Sequence, residues 1–183
     1  MSSISHELWM SSVLGQDLSD SEARELFLVS RRETYDEGAL LFAEGDPANS
    51  FFLIVDGTVD VEKSAKDRTV VAIASLDPGA VVGEMSLLIQ EPRSAGARVK
   101  VGPATVLRVE WKDFQNLMNE NRAASQKLVL ALARLLAQRL KQINLRVAEL
   151  TNEARAAPGG DKIADKLDEL ARFKAKLFKD WNY

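Results

Sequence analysis

A chain of 183 residues can bury one well-packed domain plus an appendage, but is too short for two full-sized domains. With 24 Lys and Arg against 27 Asp and Glu, its net charge of −3 argues against a general electrostatic grip on nucleic acid, which depends on neutralising phosphates. Cysteine is absent, which excludes disulfides, iron–sulfur clusters and thiolate zinc sites.

The first ten residues, MSSISHELWM, have neither a basic start nor a long apolar stretch, and no apolar run approaches the roughly 20 residues that span a bilayer. A cytoplasmic protein without a membrane segment is expected. His6, the one histidine, reads as a solvated tail residue, and a lone imidazole cannot build a multi-histidine metal site, so no metal and no other cofactor is expected.

Residues 17–29 predict a short helix capped by Ser19 or Asp20, with Ala23, Leu26 and Phe27 at helical spacing. From Arg32 to about Val109 the pattern changes to short β-rich runs at 40–44, 51–57, 59–63, 69–75 and 105–111. Gly45, Asp46 and Pro47 break one gap, and Asp56 with Gly57 predicts a tight hairpin between two of the runs. Asp77, Pro78 and Gly79 end the 69–75 strand and deliver the chain to Val81, Val82 and Gly83. The spacing predicts an α+β domain built on a small antiparallel barrel or jelly roll.

After Trp111 the pattern is helical to about Glu153. Val129, Leu132, Leu136, Leu140, Ile143, Val147 and Leu150 form a stripe that packs either on the chain's own barrel or on a second copy. Pro158, Gly159 and Gly160 interrupt it. Ile163, Leu167, Leu170, Phe173, Leu177 and Trp181 then mark an amphipathic helix at 161–183. The expected division is a domain at 1–152 that includes the long helix, a linker at 153–160 and the terminal helix.

The stretch GEMSLLIQEPRSA, residues 83–95, sets an acid and an arginine at the two ends of a short apolar helix. The two are either a surface ion pair or two groups facing one small molecule. Gly83 lets a ligand approach the backbone, and the unsatisfied N–H groups of the helix start favour an anion. Arg93 offers a planar fork of donors suited to phosphate oxygens. Glu84 would repel phosphate and suits a hydroxyl donor. A ligand with one phosphate and a neighbouring hydroxyl satisfies both.

Gly83 to Leu88, followed by Pro92, Arg93, Ser94 and Ala95, resembles the phosphate-binding cassette of cyclic nucleotide-binding domains, found in bacterial catabolite activator proteins, protein kinase A regulatory subunits and cyclic nucleotide-gated channels. The entry helix, Gly45 after a strand, Asp56 with Gly57 and the long helix extend the resemblance over roughly residues 17–152. It implies a jelly-roll (double-stranded β-helix) barrel with an N-terminal helix and a long C-terminal dimerisation helix, and a binding protein rather than an enzyme. It further implies that Glu84 and the Gly83 backbone take the ribose 2′-hydroxyl, and that Arg93 takes the cyclic phosphate with Ser86 and Ser94. The implied ligand set is Val82, Gly83, Glu84, Met85, Ser86, Arg93, Ser94 and Ala95.

Alignment of the long helix brings Ile143 and Asn144 to base-contacting positions, the latter from either subunit; Asn144 otherwise reads as a solvent-facing helix residue. Cyclic AMP is the expected ligand and cyclic GMP the alternative. Gly96 and Ala97 depart from the family, removing bulk next to where the purine would lie.

Regulators of this family continue into a winged helix-turn-helix domain, which does not fit the 30 residues after Glu153. Residues 161–183, with six Lys or Arg against five Asp or Glu, give no support to DNA binding. The expectation is therefore a homodimeric sensor read by a protein partner. A ligand-independent dimerisation or scaffold protein is the alternative. Trp181 or Tyr183 is a further candidate, as an aromatic lid over the purine.

Overall fold

The computed structural model describes residues 6–65 and 69–156. Residues 153–156 of the expected 153–160 linker are helical; the rest of that linker, the 161–183 helix and the Trp181 or Tyr183 lid lie outside the described residues. The chain divides into two compact units, 1–135 and 136–183.

The first unit opens with α1 (Glu7–Ser11), a turn of helix not anticipated from the sequence. It carries Trp9 into the core, where the indole packs edge-on against Phe51 and donates to Ser30 Oγ at 3.1 Å. His6 is not the solvated tail residue expected. Its side chain is 13% exposed and its Nε2 lies 2.5 Å from Asp20 Oδ1, at the start of the next helix.

That helix, α2 (Asp20–Leu28), starts as its sequence requires. Ser19 accepts from the Glu22 N–H, and Glu22 Oε2 accepts from the Ser19 N–H at 2.7 Å, which closes a capping box. Ala23 and Leu26 are fully buried beneath it.

Two strands of 15 residues, β3 (Ser50–Ser64) and β6 (Gly96–Glu110), run antiparallel and organise everything else. At one end β1 (Ser30–Tyr35) pairs with β6 and β5 (Val81–Val82) with β3. At the other, β2 (Leu40–Phe42) pairs with β6 and β4 (Val70–Leu76) with β3. Each half of the two long strands is thus the centre of a four-stranded antiparallel layer, which is the jelly-roll arrangement.

The predicted hairpin at Asp56 and Gly57 is absent, since both halves of β3 pair with the same strand. Gly57 is a bulge at φ +81, and the register shifts on either side of it. A side chain there would meet Ala104 Cα at 2.7 Å, so glycine permits both the bulge and the close approach of β6.

Alternation along the strands divides the interior in two. Phe51, Leu53, Val81, Leu107 and Val109 join the helices around Trp9 and Phe114. Phe52, Ile54, Val82, Ala104 and Val106 face the inside of the roll with Val59, Ala97 and Val99. Residues 51–54 are buried on both faces, which accounts for their continuous apolar run.

The helical region after β6 is broken rather than continuous. α4 (Trp111–Asn119) ends where Asn121 takes a left-handed conformation, φ +53, before α5 (Ala123–Ala156) begins. Asparagine tolerates that geometry, and the Arg122 N–H closes the turn on the Leu117 carbonyl at 3.0 Å. The start of α5 packs on its own domain through Ala124, Leu128 and Leu132. In the second unit Leu140, Ile143 and Leu145 are exposed.

Candidate functional site

The 83–95 stretch leaves the roll at the end of β5. Gly83, at φ +87, turns the chain into α3 (Glu84–Ile89), which Gln90 closes at φ +55. Residues 91–95 return to β6. The returning segment is pinned to the 43–46 turn: the Gly45 N–H donates to the Arg93 carbonyl, and the Arg93 N–H to the Asp46 carbonyl, both at 2.8 Å. Asp46 Oδ2 accepts from the Ala43 N–H at 2.8 Å and holds that turn in shape. The glycine and aspartate that read as strand breakers therefore bracket the arginine.

Arg93 points inward and is 3% exposed. Its Nη1 donates to the Gly83 carbonyl at 2.8 Å, and Nη2 to the Ser50 carbonyl at 2.6 Å and Ser50 Oγ at 3.3 Å. The guanidinium lies over the Phe42 ring, 4.2 Å from its centroid. Its Nε is buried with no hydrogen-bond partner. Burial first, then the Arg108 charge, pulls the Arg93 pKa below the ordinary arginine value, against Asp46, Glu84 and Glu110. Arginine remains a cation under such conditions. A cavity of about 210 Å³ adjoins Arg93, Phe42 and Ser50.

Glu84, in the first turn of α3, is also 3% exposed. Ser86 is buried beside it and accepts from the Ser94 N–H at 3.2 Å, which ties α3 to the segment after Arg93. Ser94 is exposed, and its carbonyl accepts from Lys63 Nζ at 2.6 Å. Lys63 also pairs with Glu44, whose carboxyl it holds below the usual range. A half-buried Ala95, a buried Val82 and an exposed Met85 complete the sequence-predicted set within this stretch. The stretch as folded is a cradle with an acid and a cation both withdrawn from solvent. Such a pair suits a ligand that offers an anion and a hydroxyl donor.

Ile143 and Asn144 lie on α5 in the second unit, the first exposed and the second half-buried. Ala97 pairs with Phe42 inside the roll, whereas a Cβ at residue 96 would make only ordinary contact, 3.4 Å from the Glu44 backbone N, so packing does not require glycine there.

Sequence reasoning missed Phe42, Ser50, Lys63 and Arg108. Ser50 contributes mainly through a carbonyl oxygen, which leaves no mark in a residue pattern. Phe42 was legible only as an apolar strand residue.

Residues 32–121 match the family described as "Cyclic nucleotide-binding domain". The chain belongs to the cyclic nucleotide-binding domain family. It is 35% identical over 137 residues to Glutaminase 1 of Bradyrhizobium diazoefficiens, covering 75% of this chain and 21% of that protein. It is 32% identical over 126 residues to the Cyclic AMP receptor protein of Thermus thermophilus, covering 67% of this chain and 55% of that protein. The crystal structure of the Thermus thermophilus Catabolite Activator Protein superposes with a TM-score of 0.69 at 30% identity, covering 79% of this chain and 66% of that one. The chain thus spans about a fifth of the glutaminase and just over half of the receptor protein. What is shared is the cyclic nucleotide-binding regulatory domain, and the cradle lies inside the matched residues.

Proposed function

We propose that this chain is a cyclic nucleotide sensor that binds cyclic AMP and acts by binding rather than catalysis. Arg93 takes the cyclic phosphate, aided by Ser86 and Ser94. Glu84 and the Gly83 backbone take the ribose 2′-hydroxyl, and Val82, Met85 and Ala95 border the ligand. Ile143 or Asn144 contacts the base from α5, within one subunit or across a homodimer. The sensor domain extends over 1–152, and residues 153–183 present the output surface to a protein partner in the cytoplasm.

One observation carries the reading. Arg93 is a buried cation with an unpartnered Nε beside a buried carboxylate of α3, and a phosphate supplies the charge it lacks. Names among the relatives point the same way: one is a cyclic AMP receptor protein. Switching follows if the occupied cradle and the empty one favour different arrangements of α5. A tenfold preference of the ligand for one arrangement supplies about 1.4 kcal/mol.

Isothermal titration of the full chain with cyclic AMP and cyclic GMP tests this, together with Arg93→Ala and mass spectrometry of any nucleotide that copurifies. Cyclic AMP should bind the tighter of the two. Arg93→Ala should weaken binding by about a hundredfold or more, as expected on removing one member of a buried charge pair. If neither nucleotide binds or raises the melting temperature, the chain is a ligand-independent scaffold.

A further inference from the structure

Beneath the Arg93 guanidinium lies a feature outside the 83–95 stretch. Phe42, from β2, places its ring 4.2 Å from Arg93 Cζ, and that ring stacks at 26° on Phe52, centroids 5.7 Å apart. Phe52 is 1% exposed and fixed by β3, so the Phe42 ring is backed by the interior of the roll. A Cβ at residue 83 would stand 2.6 Å from Arg93 Nη1 and 3.3 Å from Phe42 Cε1. Ring and guanidinium therefore share the space left by a missing side chain.

We propose that Phe42 is a positioning residue for Arg93: its ring fixes the plane of the guanidinium so that the cation meets an anionic ligand without rearranging. The part played by the ligand rests on the function proposed above; the positioning does not. The two carbonyl oxygens, of Gly83 and Ser50, hold the Nη atoms in line but leave the guanidinium free to tip about the line joining them. A flat π face against one side removes that freedom, and its negative quadrupole favours the desolvated cation. A guanidinium already fixed loses little further freedom when a phosphate arrives, so affinity gains from the ring although it does not touch the phosphate. Leucine at this position fills a similar volume and offers neither the plane nor the quadrupole.

Two readouts on the full chain test this. In ¹⁵N spectra without ligand, the Arg93 Nε–Hε signal, identified by its loss in Arg93→Ala, should be shifted by the ring current. It should move to an ordinary arginine position in Phe42→Leu and keep its shift in Phe42→Tyr. In titrations with cyclic AMP, Phe42→Leu should weaken binding about tenfold and Phe42→Tyr no more than about twofold. In an Arg93→Ala background, followed at millimolar cyclic AMP in the same spectra, Phe42→Leu should have no further effect. The proposal is overturned if Phe42→Leu leaves the Nε–Hε signal in place, or weakens binding equally with and without Arg93. If the wild-type chain binds no cyclic AMP, the function proposed above fails, and the Nε–Hε signal still decides whether Phe42 positions Arg93.

Discussion

The guanidinium of Arg93 occupies the space that a side chain on residue 83 would need, with Nη1 2.6 Å from where its Cβ would stand. Gly83 is thus required by the arginine as well as by its own backbone, at φ +87. Gly83→Ala should destabilise the domain by about 1–3 kcal/mol and also displace Arg93 from the Gly83 and Ser50 carbonyls. Thermal unfolding measures the first effect and cyclic AMP titration the second. Unchanged affinity in the variant would show that the arginine does not depend on this gap.

If Glu84 and Arg93 meet different parts of the ligand as proposed, their losses should be separable by ligand chemistry. Wild type should bind 2′-deoxy cyclic AMP about tenfold or more weakly than cyclic AMP, as when a charged acceptor loses its hydroxyl partner. Glu84→Ala should bind both equally. If the variant still discriminates between the two, the ribose hydroxyl is read elsewhere.

The parts of this site that were legible in the sequence are those that depend on side-chain type at fixed spacing. Gly83, Glu84 and Arg93 could be read because close backbone approach, a hydroxyl acceptor and a planar fork of donors each narrow the residue type. Ser19, one of the two caps expected, marked the start of its helix for the same reason. What the chain hides is long-range. Asp56 and Gly57 look like a hairpin locally, and only pairing of both flanks with β6 makes them a bulge. His6 reads as tail until α1 folds Trp9 onto Phe51. Phe42 gains its place over Arg93 from β2 pairing with β6, fifty-five residues away at Ala97.

The bulge at Gly57 can be separated from simple backbone strain by comparison with Gly38. Both have positive φ, +81 and +80, but a Cβ at 57 meets Ala104 Cα at 2.7 Å while nothing lies within 4 Å of one at 38. Gly38→Ala should cost about 1 kcal/mol from conformation alone, and Gly57→Ala about 1–3 kcal/mol more from overpacking. Urea unfolding of the two variants gives the difference directly. Equal losses would mean that β6 yields at Ala104.

Glu22 links the capping box to α5, accepting from Ser19 N–H and from Lys127 Nζ, each at 2.7 Å. The Lys127 bond first, then the Ser19 backbone bond, holds its pKa below the ordinary value of 4.5. A carboxylate whose folded pKa is depressed stabilises the fold above its unfolded value, and loses that stabilisation as pH falls through the folded one. Glu22→Gln should therefore cost about 1 kcal/mol at neutral pH. The gap from wild type should close well below pH 4.5. A gap that persists in acid would assign the loss to packing rather than charge.

The long apolar stripe of α5 serves two surfaces. Leu132 is in the core of the first unit, whereas Leu140 and Ile143, in the second, are 42% and 60% exposed. Spaced three residues apart on one helix, they offer the seam positions of a helix pair. If a second copy covers them, sedimentation equilibrium of the full chain should give a dimer, and Leu140→Glu with Ile143→Glu a monomer. Because the Arg93 cradle lies wholly in the first unit, the monomeric variant should keep its phosphate contact and lose only base discrimination supplied from the partner. Its cyclic AMP to cyclic GMP affinity ratio should fall toward one, and Asn144→Ala should reproduce that fall without dissociating the dimer. A wild-type chain that sediments as a monomer would overturn the helix pairing.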